Sequence, residues 1–232
     1  MSTFSTIRRQ LAPVHREGYP FIALFALVSV ILFWIGQPLG WLGLVATAWC
    51  AYFFRDPRRV TPVGNGLVIA PADGLIAQVS TAPPPRELEL GEAPRLRISI
   101  FMSVLDVHIN RSPVSGKIEK IAYKPGKFLN ADLDKASEDN ERNGFVIAGA
   151  RGKVAVVKIA GLIARRIVCF VREGQSVAAG ERIGMIRFGS RVDVYLPQGT
   201  HTLVAEGQYA VGGETVLADL GASARELAFR IG

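Results

Sequence analysis

Residues 96–102 read LRISIFM, with apolar side chains at positions 96, 98, 100 and 102. A period of two is typical of a half-buried β-strand. Two further runs, VAVVKI at 154–159 and IVCF at 167–170, are rich in β-branched residues and bounded by glycine or charge, which also favours strands. From Val68 onward, the sequence therefore predicts a mainly β body with few short helices.

A weak internal repeat refines this fold class. The segments EGQSVAAGE at 173–181 and EGQYAVGGE at 206–214 match at five of nine positions, with an offset of 33 residues. Glycine at fixed places in both copies would supply tight turns, and such paired hairpins are typical of a barrel-sandwich-like β domain. We expect this domain to occupy residues 55–232.

An apolar block precedes the β body. The 17 residues at 19–35, YPFIALFALVSVILFWI, carry no charge, and LGWLGLVATAWCAYFF follows at 39–54. Between them lies Gly36-Gln37-Pro38, where the proline would break one continuous helix. Each half is at the short end of the length that a membrane-spanning helix needs. We expect residues 19–54 to form a helical hairpin that spans or dips into a membrane; the alternative is a buried hairpin of a soluble protein.

The net charge of +7 is concentrated around this block. Residues 1–59 hold six basic and two acidic side chains, a net of +4, and basic residues flank both ends of the hairpin. The positive-inside bias then places the 1–18 segment and the β body in the cytoplasm, and the charge favours contact with anionic lipid over nucleic acid. Two cysteines are too few for a disulfide scaffold.

Three places in the β body could carry chemistry. Pro71-Ala72-Asp73-Gly74 follows a strand-like run, and by local sequence alone it is a β-turn. His108 lies between two β-branched residues, which is more often a structural setting. Gly189-Ser190 interrupts a stretch that reads as strand on both sides, where a bulge or strained turn would sit. At a strained Gly-Ser bond the hydroxyl can attack the preceding carbonyl, and β-elimination from the resulting ester then cuts the chain.

These segments, taken in order, resemble the compact type of the phosphatidylserine decarboxylase family. They are the apolar hairpin ending in FFRDP at 53–57, PADG at 71–74, MSVLDVHINRSPVSG at 102–116, and FGSRVD at 188–193. Each motif is weak alone, whereas the ordered set, which spans roughly residues 20–219, is specific.

The resemblance implies that the chain cuts itself into a β chain, 1–189, and an α chain, 190–232. Ser190 would become a covalent pyruvoyl cofactor that replaces pyridoxal phosphate and takes up the electrons left when CO2 departs. Phosphatidylserine in the membrane would be the substrate and phosphatidylethanolamine the product. The working unit would be a β/α heterodimer, alone or as a dimer of such pairs, on the cytoplasmic face of the cell (inner) membrane. No metal and no nucleic acid is expected.

Residue roles follow from the same resemblance. Asp73 would help to activate Ser190 for self-cleavage, and His108 would serve the decarboxylation step, as proton donor. Longer members carry a second histidine where this chain has Arg111, and arginine cannot serve as a general base. Either His108 therefore serves both steps, or Asp73 acts more directly, or another group substitutes. Arg111 and Lys127 are candidates for binding the lipid headgroup, since a guanidinium fork suits phosphate.

Two other functions fit parts of the pattern. A decarboxylase of a related lipid, such as an archaetidylserine, would share every motif. A non-catalytic, membrane-anchored barrel-sandwich adaptor would explain the repeat and the hairpin, although such adaptors usually carry long helical hairpins, which are absent from this sequence.

Overall fold

A computed structural model describes residues 12–126, 140–161, 166–187 and 190–221. The chain divides into two compact units. The first comprises residues up to Arg58 together with Leu105–Val107, and the second comprises Arg59–Val104 and the chain from His108 onward.

The first unit contains the helical hairpin that the apolar block predicts. Helix α1 spans Tyr19–Ile35 and helix α2 spans Gln37–Phe53. Gly36 separates them, and Pro38 lies in the first turn of α2, where its missing N–H costs nothing. The second helix thus begins two residues earlier than the predicted Leu39, because the proline starts this helix and is not part of a linker.

Small and polar residues hold the two helices together, and apolar residues face outward. The hydroxyls of Ser29 on α1 and Thr47 on α2 lie 3.1 Å apart, and Gly43 packs against Ser29. Many large apolar side chains are exposed, among them Trp34 and Trp41. Within the described residues, the helical stretch Arg16–Ile35 is long and apolar enough to cross a membrane, and only 11% of it is buried.

Within the described residues, the second unit contains one eight-stranded antiparallel sheet and two three-stranded sheets. The strands are β1 (Leu67–Ile69), β2 (Gly74–Ala82), β3 (Arg95–Met102), β4 (Ile109–Arg111), β5 (Gly116–Lys124), β6 (Arg142–Gly149), β7 (Gly152–Ala160), β8 (Arg166–Cys169), β9 (Ser176–Val177), β10 (Arg182–Arg187), β11 (Ser190–Leu196), β12 (His201–Thr202), β13 (Tyr209–Ala210) and β14 (Val216–Asp219). The large sheet has the order β13-β2-β3-β11-β7-β6-β5-β9, and the small sheets have the orders β1-β14-β12 and β4-β10-β8.

The LRISIFM stretch forms β3, as predicted, and confirms the mainly β fold class. Ile98, Ile100 and Met102 point into the main core, where residues of β7 and β11 meet them. By composition, the four prolines of the segment at 81–94 favour an exposed loop, but the segment is not wholly exposed. Within it Arg86–Leu88 form a short 3₁₀ helix, and Leu88 is buried because it packs against apolar residues on the other face of the sheet.

The repeated EGQ segments form equivalent turns in two halves of this unit. Gly174 and Gly207 both adopt positive φ, near +82° and +85°. The Ile118 amide donates to the Gln175 carbonyl at 2.8 Å, and the Ile76 amide donates to the Gln208 carbonyl at the same distance. The repeat is thus structural, but the segments are not the predicted hairpins, because their strands β9 and β13 pair with β5 and β2, which are distant in sequence.

The duplication extends to strands whose sequences differ. Residues 67–82 and 109–124 make the same strand pairings. In each segment the register shifts once just before the third residue of the first strand, and again just after Ile76 or Ile118. Two reciprocal hydrogen bonds of 2.8 Å, from the Ile69 amide to the Pro113 carbonyl and from the Arg111 amide to the Pro71 carbonyl, link the halves. A residue in the first segment therefore corresponds to the residue 42 positions later in the second.

Candidate functional site

Ser190 is the first residue of β11, in the middle of the large sheet. It lies in register with Met102, the last residue of β3, and with Ala160, the last residue of β7. The position is thus at one end of three adjacent strands. Gly189 and Lys127, which the sequence analysis also named, lie outside the described residues.

Asp73 immediately precedes β2 and is almost fully buried. Its Oδ2 accepts a hydrogen bond from Nη2 of Arg59 at 2.6 Å, and its Oδ1 accepts one from the Gly212 amide at 2.7 Å. These partners lie 14 and 139 residues away in sequence, so the carboxylate does more than stabilise its own turn. A charge-assisted bond of this length fixes the carboxylate firmly.

Strand order places Asp73 at the same end of the sheet as Ser190. Strand β2 pairs with β3, where Leu75 lies opposite Phe101, and β3 in turn pairs with β11. At about 4.8 Å per strand, the two spacings put the start of β2 about 10 Å from Ser190. The two residues are therefore close enough to belong to one site.

His108 immediately precedes β4 and is completely buried. Its carbonyl accepts a hydrogen bond from the Ile186 amide at 3.2 Å. Ile186 is on β10, four residues before Ser190, so the His108 backbone lies beside the segment that leads to Ser190.

Arg111 is a buried residue with a partner in the protein. Its Nη1 donates to the Gly180 carbonyl at 2.8 Å. A β-carbon built on Gly213 would lie 2.7 Å from Cδ of Arg111 and 3.3 Å from Cβ of Arg59. The side chains of Arg59 and Arg111 thus meet at Gly213, next to the amide that binds Asp73, and make this end of the unit positive.

Sequence reasoning missed two buried groups in this unit. Arg59 was counted as part of the basic flank of the hairpin, although only 14% of its side chain is exposed. Lys158 is fully buried on β7, with Nζ donating to the Val168 carbonyl at 3.0 Å and lying 4.6 Å from the centre of the Phe145 ring. Burial lowers the pKa of Lys158 to about 7. A charged residue within the β-branched run at 154–159 was the available signal.

Comparison with known proteins gives a consistent result. A sequence model of the family described as phosphatidylserine decarboxylase matches residues 46–218. The protein named phosphatidylserine decarboxylase proenzyme from Azorhizobium caulinodans is 62% identical over 232 residues, which cover the whole of both chains.

Proposed function

This chain belongs to the phosphatidylserine decarboxylase family, and on that premise we propose that it makes its own cofactor from Ser190. It is an enzyme that removes CO2 from phosphatidylserine to give phosphatidylethanolamine. The observation that supports Ser190 as the reacting residue is its position at the end of three strands, with buried Asp73 and His108 coming to the same region.

Self-cleavage needs only groups of the chain and one water molecule. The Ser190 hydroxyl oxygen bonds to the Gly189 carbonyl carbon, the peptide C–N bond breaks, and the proton passes to the freed amine, which leaves an ester. Loss of the Ser190 α-proton and of the Gly189 carboxylate then separates residues 1–189 from 190–232. Water replaces the remaining nitrogen, which leaves as ammonia, and a pyruvoyl group remains at the start of the α chain.

The residues at this end of the unit fit a pyruvoyl group. Ser190 supplies its carbon atoms. Once formed, the group supplies a carbonyl that reacts with the substrate amine and accepts the electrons left on the substrate carbon when CO2 departs. His108 would return a proton to the substrate carbon that loses CO2. Asp73, held by Arg59, would orient and activate the serine during self-cleavage.

Arg111 cannot take over the work of a general base, because its guanidinium keeps its proton. Its planar guanidinium suits a bidentate contact with an anion, so it would serve as an anchor for the phosphate or carboxylate of the lipid headgroup. Lys127 is the second candidate for that contact, on sequence grounds alone.

The apolar helix supports a membrane location for this lipid enzyme. Basic residues at both ends of the hairpin favour the cytoplasmic face of the inner membrane. The two chains would stay together as a β/α heterodimer, because β11 of the α chain is paired on both sides with strands of the β chain. The working unit would be one such heterodimer or a dimer of two of them.

The test is lipid turnover by matched proteins. Wild-type protein and Ser190→Ala would be given phosphatidylserine in vesicles, and an archaeol-based analogue in a parallel sample, with phosphatidylethanolamine and CO2 measured. We expect turnover of phosphatidylserine by wild type only. Equal activity of the alanine variant would refute the role of Ser190, and preference for the analogue would change the substrate.

A further inference from the structure

Asn110, in the middle of β4, is a buried polar residue whose amide is almost unused. The side chain has no solvent exposure. Its Nδ2 donates only to the sulfur of Met102, at 3.7 Å, and its Oδ1 has no hydrogen-bond partner among the described residues. Thioether sulfur is a weak acceptor, and most buried polar side-chain atoms in proteins have at least one hydrogen-bond partner. An exception of this kind calls for an explanation.

The duplicated half of the unit shows that the fold does not need a polar residue here. The residue equivalent to Asn110 is Val68, on β1, which is fully buried in the main core. Val68 pairs with Ala218 and Asn110 pairs with Gly184, in each case just before the strand irregularity. The same backbone position is therefore occupied by an ordinary apolar residue in one half and by an amide in the other.

The amide lies next to the position that is cut. Met102, the one side-chain hydrogen-bond partner of Asn110 among the described residues, is the cross-strand neighbour of Ser190 on β11. Residues directly opposite each other in an antiparallel pair have β-carbons about 5 Å apart. One side chain thus separates the Asn110 amide from the start of β11.

We propose that Asn110 is a catalytic residue for self-cleavage, in which its amide N–H donates a hydrogen bond to the oxygen that becomes negative. When the Ser190 oxygen bonds to the Gly189 carbonyl carbon, the carbonyl electrons move to that oxygen, and they return when the C–N bond breaks. A neutral amide stabilises the charge without exchanging a proton. This inference rests on the proposed conversion of Ser190.

Its position explains why the amide is unused in the intact chain. Donors for a developing oxyanion are aimed at where the oxygen will be, not at where it lies before reaction. A dry, water-excluded setting strengthens such a hydrogen bond. The amide without good partners lowers the free energy of unfolding, and this loss of stability accompanies a donor that is in place before the reaction.

The first test variant is Asn110→Val, which places the side chain of the equivalent residue, Val68, at this position. The second, Asn110→Ala, has a smaller side chain and controls for a valine that does not fit. Asn143 provides a matched control. It is also buried, and its Oδ1 also has no hydrogen-bond partner among the described residues. Asn143 lies on β6, which is two strands away from β11, and its register position is two residues along from Ser190, so the two residues are about 12 Å apart. Its equivalent in the other half is Leu96, so the control is Asn143→Leu.

Each protein would be made by cell-free synthesis with membranes, and loss of the 25.1 kDa precursor would be followed over time on denaturing gels. We expect Asn110→Val and Asn110→Ala to cleave about 100-fold more slowly or worse, the usual effect of losing one oxyanion donor. Their melting temperatures, measured in a Ser190→Ala background, should stay equal or rise for valine. Asn143→Leu should cleave at the wild-type rate.

Several results would overturn the inference. Wild-type cleavage rates in both Asn110 variants would remove the amide from the reaction. Slow cleavage together with a large fall in melting temperature in both variants would make Asn110 a structural residue. If wild-type protein itself is never cut, the proposed function fails, which is a different outcome from normal cleavage in the variants.

Discussion

Replacing Lys158 with methionine should remove a pH dependence that this buried amine gives to the stability of the protein. Burial lowers the pKa of Lys158 from 10.5 to about 7, and the smaller effect of the nearby Cys169 acts in the opposite direction. The amine donates to one carbonyl and lies over the Phe145 ring. Methionine has a similar length and no charge, so the substitution removes the titration with little change of shape.

The size of the effect follows from proton linkage. Between pH 6 and 8 an unfolded lysine stays protonated, whereas the folded one passes from mostly charged to mostly neutral. The unfolded state then binds more protons, so the free energy of unfolding rises with pH. For a folded pKa of about 7, the rise across these two pH units is on the order of 1 kcal/mol.

The assay is urea unfolding of the full chain in detergent at pH 6 and pH 8, in a Ser190→Ala background that keeps one uncut chain. The quantity compared is the change with pH, because other groups contribute equally to both proteins. Lys158→Met should lose on the order of 1 kcal/mol of that change. The control, Lys153→Met, removes a half-exposed lysine from the same strand and should leave the change intact. An unaltered pH dependence in Lys158→Met would refute the reasoning.

Three other substitutions and one control test the site and its surroundings. His108→Ala should retain most self-cleavage but lose lipid turnover, as seen on a gel and by phosphatidylethanolamine assay; loss of cleavage as well would show that His108 serves both steps. Arg59→Gln should slow cleavage at least about tenfold, because a partner of the Asp73 carboxylate is lost. As a control, Ser115→Ala removes the hydrogen bond from the Ala179 amide, which corresponds in the other half to the bond from Gly212 to Asp73. This variant should leave the cleavage rate unchanged, so equal slowing would contradict the assignment. Gly184→Ala should lower the melting temperature and cost about 2 kcal/mol, because a methyl group there would overlap a carbonyl oxygen of β8.

Local periodicity made the elements predictable. The uncharged run at 19–35 and the alternation at 96–102 each depend on side chains close in sequence, and both became the expected elements. The tight turns of the EGQ repeat were also predictable, because its glycines occupy turns that require positive φ. The start of α2 was missed, since a proline can either end or begin a helix.

The duplication of the larger segments was not visible in the sequence. Residues 67–79 and 109–121 share few identities, and their likeness is in hydrogen bonds and register, which many side chains can satisfy. A sequence shows that Val68 is apolar and Asn110 polar, but not that they occupy equivalent places. That equivalence, together with the position of Met102 opposite Ser190, identifies Asn110 as the unusual residue.

The partners of Asp73 were also beyond sequence reasoning. Asp73 binds Gly212 and Arg59 only because the fold brings three distant segments together. Arg59 in particular lies among basic residues whose simplest interpretation is contact with lipid. Its buried ion pair with Asp73 shows that a charge count near a membrane helix mixes surface and site residues.

The central claim is that this chain is a precursor which cuts itself before Ser190. The most direct measurement is the intact mass of the two polypeptides in active, purified wild-type protein. We expect the masses of two chains, one ending at Gly189 and another covering 190–232. The second chain should bear a pyruvoyl group in place of an N-terminal serine. A single 25.1 kDa chain in fully active protein would contradict it.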